Sequence, residues 1–149
     1  MLILGMASAG IAFNHQLALT HSAREGGRYA ATLPVNNFGS MNAWLDAVAL
    51  GVVDDATGSL GPGVPGQFIC VAYVHPDGLV PEDQTTRRID TGGPPIYAST
   101  PCFVDGRPLG ERRVQVVVER DTNFNALFFS STLGLGSEAV NRFEAADGF

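Results

Sequence analysis

The side chains best suited to redox, metal or nucleophilic chemistry in this sequence are two cysteines and three histidines. Cys70 and Cys102 are too far apart for a Cys-x-x-Cys motif, the pattern of thioredoxin-like and many zinc sites. His15 and His21 fall on different faces of one predicted helix. Cys70 and His75 belong to one predicted strand and point to opposite faces of it. We therefore expect no metal site and no catalytic Cys–His pair.

The acidic and glycine-rich segments also lack a catalytic pattern. Carboxylate pairs such as Glu82-Asp83 fall in predicted loops, where solvation is the ordinary state of such groups. The glycine-rich segments lack the Lys-Ser/Thr of a phosphate loop, and we interpret Gly134-x-Gly136 as a turn. The sequence thus predicts a protein without enzymatic activity and without a cofactor.

The two cysteines leave two states open. In an exported protein they would form a disulfide, whereas in the cytosol two buried thiols are the ordinary alternative. A Cys70–Cys102 bridge would join two predicted strands and contribute roughly 3 to 4 kcal/mol in the chain-entropy model.

Composition limits the fold and the partners. The chain has 149 residues, 45% of them hydrophobic and 16% charged, with 18 Gly and 9 Pro. This length fits one domain with at most one appended element, and the turn-rich composition favours strands over a helical bundle. The net charge is −6, and the nine basic residues are all Arg and scattered. Nucleic-acid binding is not expected, because phosphate contacts need a concentrated basic surface.

The N-terminal third is predicted to form one long helix. Residues 2–31 contain no Pro, Pro34 ends the run, and the first charged side chain is Arg24. The uncharged residues 1–13 would span only about 20 Å as a helix, less than the ~30 Å core of a bilayer. Small residues recur at every fourth position near the end of this helix and would allow close approach by a helix or a sheet. Two interpretations stay open: a membrane or filament helix, and a buried helix of a soluble protein.

Residues 14–31, NHQLALTHSAREGGRYAA, resemble the junction in TadE-like proteins of tight-adherence pilus systems. In that family an apolar segment leads into an A-R-x-G-A-R-Y-A pattern, which reads here Ala-Arg-Glu-Gly-Gly-Arg-Tyr-Ala over residues 23–30. The C-terminal part is similar in outline, with a Val-rich strand over 114–120, a hydrophobic loop over 124–135 and a last strand ending near residue 143. The leader, peptidase cleavage site and early Glu of family precursors do not precede Arg24, so we expect the helix to be truncated at its start.

The resemblance implies a pilin-like α+β fold, in which a long N-terminal helix is followed by a small antiparallel-sheet domain with a second helix. Residues 1–33 would be the hydrophobic helix of a membrane or filament core, and residues 34–149 an extracytoplasmic α+β head. Apolar residues of the helix would bury against neighbouring helices, small ones would allow close approach, and charged ones would set register. The residues expected to act in assembly are Leu4, Ile11, Phe13, Leu17, Ala23, Arg24, Glu25, Gly27, Arg28, Tyr29 and Ala31.

Within the head, local patterns predict a second helix and several strands. Ser40 is a suitable N-cap for a helix over 41–54, whose apolar stripe around Trp44 we assign to the core. Residues 58–66 form a predicted loop, residues 68–74 a buried strand, and Asp105-Gly106 a hairpin signal. Residues 81–101 contain four Pro and are predicted to be a long exposed excursion.

The functional prediction is a non-catalytic minor pilin or pseudopilin of a tight-adherence, type IV-like pilus. Its expected partners are other pilin subunits, through the N-terminal helix, and the membrane, with the head domain outside the cytoplasm. One alternative is a membrane-anchored adhesin that binds a surface ligand through the 81–101 loop. A soluble enzyme with an internal N-terminal helix is the remaining alternative.

Overall fold

A computed structural model describes residues 2–76, 85–88, 93–126 and 129–145. The helices are α1 (Leu2–Thr32), a short 3-10 turn (Val35–Phe38) and α2 (Met41–Asp55). The strands are β1 (Phe68–Val74), β2 (Thr85–Arg88), β3 (Ile96–Ala98), β4 (Arg113–Ala126) and β5 (Phe129–Arg142). The predicted α+β class, with a long N-terminal helix, a second helix and an antiparallel sheet, is confirmed.

The strands form one antiparallel sheet in the order β3-β2-β1-β4-β5. β4 and β5 have 14 residues each, whereas β1 has seven and pairs with β4 only over residues 113–119. The outer halves of β4 and β5 therefore continue beyond β1 as a two-stranded hairpin, which we call the arm (residues 120–126 and 129–135). An isolated two-stranded hairpin is marginally stable in water, so the arm requires support from another element.

Both helices begin or end where the sequence predicts. α1 ends two residues before Pro34, since proline cannot continue a helix. The side chain of Ser40 accepts a hydrogen bond of 3.2 Å from the backbone N–H of Ala43 and caps α2. The apolar stripe of α2 is fully buried: Trp44, Leu45, Val48, Ala49 and Val52.

The main core lies between the two helices and one face of the sheet, where Val114, Val116 and Val118 of β4 point. An aromatic cluster fills its centre. Trp44 packs edge-on against Tyr73, with ring centroids 6.2 Å apart, and its Nε1–H donates to the Leu33 carbonyl at 3.0 Å. Trp44 thus faces its own domain, as the helical pattern predicts.

The opposite face of the sheet is partly covered by residues 99–112, which contain no strand. The strand predicted at Cys102 and the hairpin predicted at Asp105-Gly106 are therefore wrong. Side chains of β4 hold this segment instead of backbone pairing. The Gln115 amide bonds the backbone of residues 102 and 103, and Arg113 Nε donates to Asp105 Oδ2 at 2.6 Å. The two buried charges of this ion pair satisfy each other, and their contact holds a segment that has no partner strand.

Two further loop predictions are corrected. Within the 81–101 excursion, β2 and β3 belong to the sheet, while residues 81–84 and 89–92 lie outside the described part. The β-branched pair Thr85-Thr86 joins the edge of β1, and Pro94, Pro95 and Pro101 lie outside the strands, where their missing N–H costs nothing.

The hydrophobic loop predicted over residues 124–135 is mainly strand. Residues 124–126 end β4 and residues 129–135 begin β5, so Gly134-x-Gly136 lies inside a strand and is not a turn. The pairing persists because α1 covers one face of the arm, a long-range contact that no local pattern carries.

Candidate functional site

The first half of α1 lies along the arm. Ser8 Oγ donates to the Asn125 carbonyl at 3.0 Å, and His15 Nδ1 lies 3.2 Å from Thr122 Oγ1. The 31 residues of α1 correspond to about 46 Å, and the 14 of β5 to about 48 Å, so the helix and the whole of strand β5 match in length. The helix and the arm therefore form one two-layer extension of the domain.

The side of this extension that α1 turns outward is apolar. Six large side chains are more than half exposed, and they are Ile3 (80%), Leu4 (59%), Met6 (71%), Ile11 (56%), Phe13 (66%) and Leu17 (53%). At roughly 100 Å² each they present on the order of 600 Å² of apolar surface, the upper end of the largest patch on a typical monomer. Four of the predicted assembly residues, Leu4, Ile11, Phe13 and Leu17, belong to this patch.

Part of the patch forms a regular seam. Ile3, Met6, Gly10, Phe13 and Leu17 are spaced alternately three and four residues apart, which places them on one face of the helix. This spacing is the a/d pattern of helices that pack side by side. A Cβ at Gly10 would meet nothing within 4 Å. No contact within the described chain therefore accounts for glycine at this helix-interior position. We call this set of five residues the α1 seam.

The small residues predicted to admit neighbouring subunits contact the chain's own domain. Ala23 and Ala31 are buried, and a Cβ at Gly27 would meet Asn141 and Ala139 of β5. Their close approach was predicted for a helix or a sheet, and it is made to the sheet of the same molecule. A role of these three positions in contacts between subunits stays a prediction.

The charged end of α1 borders an open groove beside α2. Arg24, Arg28 and Tyr29 are exposed and Glu25 is half-buried. Among the described residues none of Arg24, Glu25 and Arg28 forms an ion pair, so the side-chain spacing that brings Glu25 within reach of Arg28 is not used as a salt bridge. These three charges remain available to a partner.

The contact between His15 and Thr122, which the sequence analysis missed, anchors α1 to the arm. Burial, with a smaller contribution from the Arg120 charge, lowers the pKa of His15 below its usual value. Arg120 itself is buried, its Nη1 donates to the Ser59 carbonyl at 2.7 Å, and desolvation lowers its pKa. The available signal in the sequence was an Arg at the end of a Val-rich strand, since a guanidinium carries five N–H donors and needs acceptors when it is buried.

The two cysteines form a disulfide, which decides between the two states left open by the sequence. Cys70 and Cys102 have a Cα–Cα distance of 5.9 Å. The bridge joins the buried centre of β1 to the segment that also carries Asp105. Burial opposes ionisation of Asp105, but hydrogen bonds from Arg113 and Gln115 and from the backbone N–H of residue 107 lower its pKa overall. The disulfide and this ion pair together fix the segment on the sheet.

The described residues offer neither a metal cluster nor a membrane-spanning helix. The part of the chain that the structure describes holds no group of three or more His, Cys, Asp or Glu side chains placed to share a metal ion. None of its helices combines the length and the apolar character needed to cross a bilayer.

Comparison with known protein-family models, with curated proteins and with solved structures gave no match to this chain. A functional assignment is therefore argued from the structure, and the exposed apolar surface of α1 is the feature that carries it.

Proposed function

We propose that this chain is a non-catalytic minor pilin or pseudopilin that acts in the assembly of a tight-adherence, type IV-like pilus. One observation carries the proposal: the outward face of the first half of α1 is apolar and is held in place by the chain's own domain. Water-exposed apolar surface of this size is typical of protein–protein contact. The resemblance of residues 14–31 to TadE-like proteins names the kind of assembly.

The disulfide supports an extracytoplasmic head. Disulfides persist in exported proteins and at cell surfaces and are rare in the cytosol, where thiols are kept reduced. The bridge between Cys70 and Cys102 therefore favours a domain at the cell envelope, outside the cytoplasm.

Neighbouring subunits fit the apolar face better than lipid does. The seam covers one side of α1, whereas the face of the arm that is turned away from α1 carries Asn123, Asn125 and Ser130, all exposed. Hydrocarbon surrounding the arm would leave these polar groups without partners. A protein neighbour can cover the seam alone and leave the polar face in water.

The proposal is tested by removing the apolar face without disturbing the fold. Replacing Phe13 and Leu17 together by Gln keeps helix propensity and removes two exposed anchors. Leu50→Gln on α2, where the side chain is 49% exposed, is the matched control. We expect the double variant to be depleted at least tenfold from filaments sheared from the producing cells, which corresponds to about 1.4 kcal/mol of lost contact.

The control variant should enter the filament fraction at the level of the unchanged protein. Both variants should retain the disulfide and the circular dichroism of the folded chain. Entry of the double variant at the unchanged level would refute the proposed role of α1.

A further inference from the structure

The outer edge of β5 offers a second unpaired surface, beside the α1 seam. The Phe143 N–H donates to the Arg112 carbonyl at 2.9 Å. This bond shows which of the alternating residue pairs of β4 and β5 are the hydrogen-bonded ones. Odd-numbered residues of β5 therefore turn their backbone groups toward β4, and even-numbered residues turn theirs outward. The Gly136 carbonyl accordingly accepts a hydrogen bond of 2.8 Å from the Gln16 side chain instead of from β4.

This edge lacks the features that normally block strand addition. Residues 130–137 include no charged residue and no Pro, the two commonest protections of an edge strand. Within the described residues, two side chains reach this edge: Gln16 donates to the Gly136 carbonyl and Arg107 Nη2 donates to the Val140 carbonyl. Within the described ranges, β5 pairs with β4 alone. The segment from Ser130 to Glu138 can thus still accept another strand, since the Gly136 carbonyl keeps a second lone pair beside its bond to Gln16.

We propose that a second copy of this chain binds here, with β5 paired antiparallel to β5 about a two-fold axis at Gly134. Ser130 then lies opposite Glu138 of the other copy, and the open segments coincide over their full length. A parallel pair in register would instead set Glu138 against Glu138, and like charges directly opposite destabilise a sheet. Charge therefore selects the antiparallel arrangement.

The same axis places the two α1 helices side by side. α1 packs over both β4 and β5. Strands lie about 4.8 Å apart, so two edge-paired copies place their α1 helices roughly 10 Å apart, the distance at which helices pack. His15 contacts the arm at Thr122, and Gln16 contacts β5 at Gly136, both close to the axis. Phe13 lies three residues before Gln16, on the same side of α1, and is the seam residue that comes nearest to its counterpart across the axis.

Strand pairing and helix packing therefore cover the β5 edge and part of the α1 seam in one contact. Leu133, 45% exposed, pairs with Thr122 on the α1 side of the arm and is covered as well. The inference rests on the proposed function, because it assigns the occupant of the same α1 face. It names that occupant as a second copy, bound through an isologous interface.

The edge is tested on the purified full chain by sedimentation equilibrium at micromolar concentration. Thr132→Pro removes an outward N–H and leaves the bonds to β4 intact, since residue 132 faces away from β4. Thr132→Val keeps that N–H and is the control. We expect the unchanged chain and the Val variant to be dimers and the Pro variant to be a monomer with unchanged circular dichroism. A monomeric unchanged chain, or a Pro variant that dimerises equally well, would overturn the proposal.

A charge pair tests the register and does not depend on folding of the proline variant. Both Ser130 and Glu138 are exposed on the same face of the sheet. Ser130→Asp would face Glu138 of the other copy twice in each dimer, and Ser130→Arg would face it with opposite charge. We expect the Asp variant to dissociate at least fivefold more readily than the Arg variant. Equal dissociation constants would contradict this register.

The two proposals fail in different ways. If the chain is monomeric but the Phe13 and Leu17 variant is lost from filaments, the two-copy contact is wrong and the assembly role stands. If the chain forms the edge-paired dimer but the variant enters filaments normally, the dimer stands and the assembly role is wrong.

Discussion

Two glycines at the contact between α1 and α2 should respond to the same substitution with opposite signs. A Cβ at Gly26 would overlap Cγ2 of the fully buried Val52. A Cβ at Gly51 would lie 3.9 Å from the Tyr29 ring, an ordinary contact. Each Gly→Ala change gains about 0.8 to 1 kcal/mol of helix propensity, but forced overpacking costs about 1 to 3 kcal/mol. Gly51→Ala should therefore stabilise the fold, and Gly26→Ala should destabilise it by up to about 2 kcal/mol.

The assay is urea unfolding of the oxidised protein, followed by circular dichroism. In thermal unfolding of the same protein, Gly51→Ala should raise the melting temperature by about 2 to 4 °C for each kcal/mol gained. In a Val52→Ala background the penalty at Gly26 should fall, with a coupling of roughly 0.5 to 3 kcal/mol. Equal stabilisation by Gly26→Ala and Gly51→Ala would refute the packing of α1 on α2 described here.

Three further predictions concern the polar and covalent contacts. The fold lowers the pKa of His15 below the unfolded value of 6.5, so stability is complete above pH 6.5 and declines as the pH falls below it; His15→Gln should flatten this decline in pH-dependent melting curves. Asp105→Asn leaves the buried Arg113 charge without its carboxylate and should cost about 3 to 5 kcal/mol in urea unfolding, more than the surface change Glu144→Gln. Cys102→Ala should cost about 3 to 4 kcal/mol in the same assay, and reduction of the unchanged protein should cost a similar amount.

Elements whose boundaries depend on nearby residues were predicted correctly from the sequence. Pro34 marks the end of α1, Ser40 caps α2, and the apolar run of residues 68–74 is β1. Each depends on residues within a few positions of the boundary, so one sequence is sufficient. Trp44 was also assigned to the core correctly, because its helical stripe is uninterrupted.

Elements that depend on distant contacts were predicted wrongly. β4 and β5 continue through residues 124–135 because α1 covers them, and Gly134 sits in a strand for the same reason. The small residues of α1 were correctly linked to close packing, but local spacing does not identify the packing partner. Gly27 contacts Asn141 of the same chain, a position more than a hundred residues away. The exposed seam likewise became apparent only once the sheet side of α1 was known.

The most direct test of the account is photo-crosslinking in the producing cells, with a reactive amino acid placed at Phe13 on the seam or at Leu50 on α2. Both side chains are exposed in the single chain, so accessibility alone would label both positions. The account predicts adducts at position 13 whose mass and peptides identify pilin-type subunits or a second copy of this chain, and no such adduct at position 50. Absence of these adducts at position 13, or equal yields at both positions, would contradict assembly through α1.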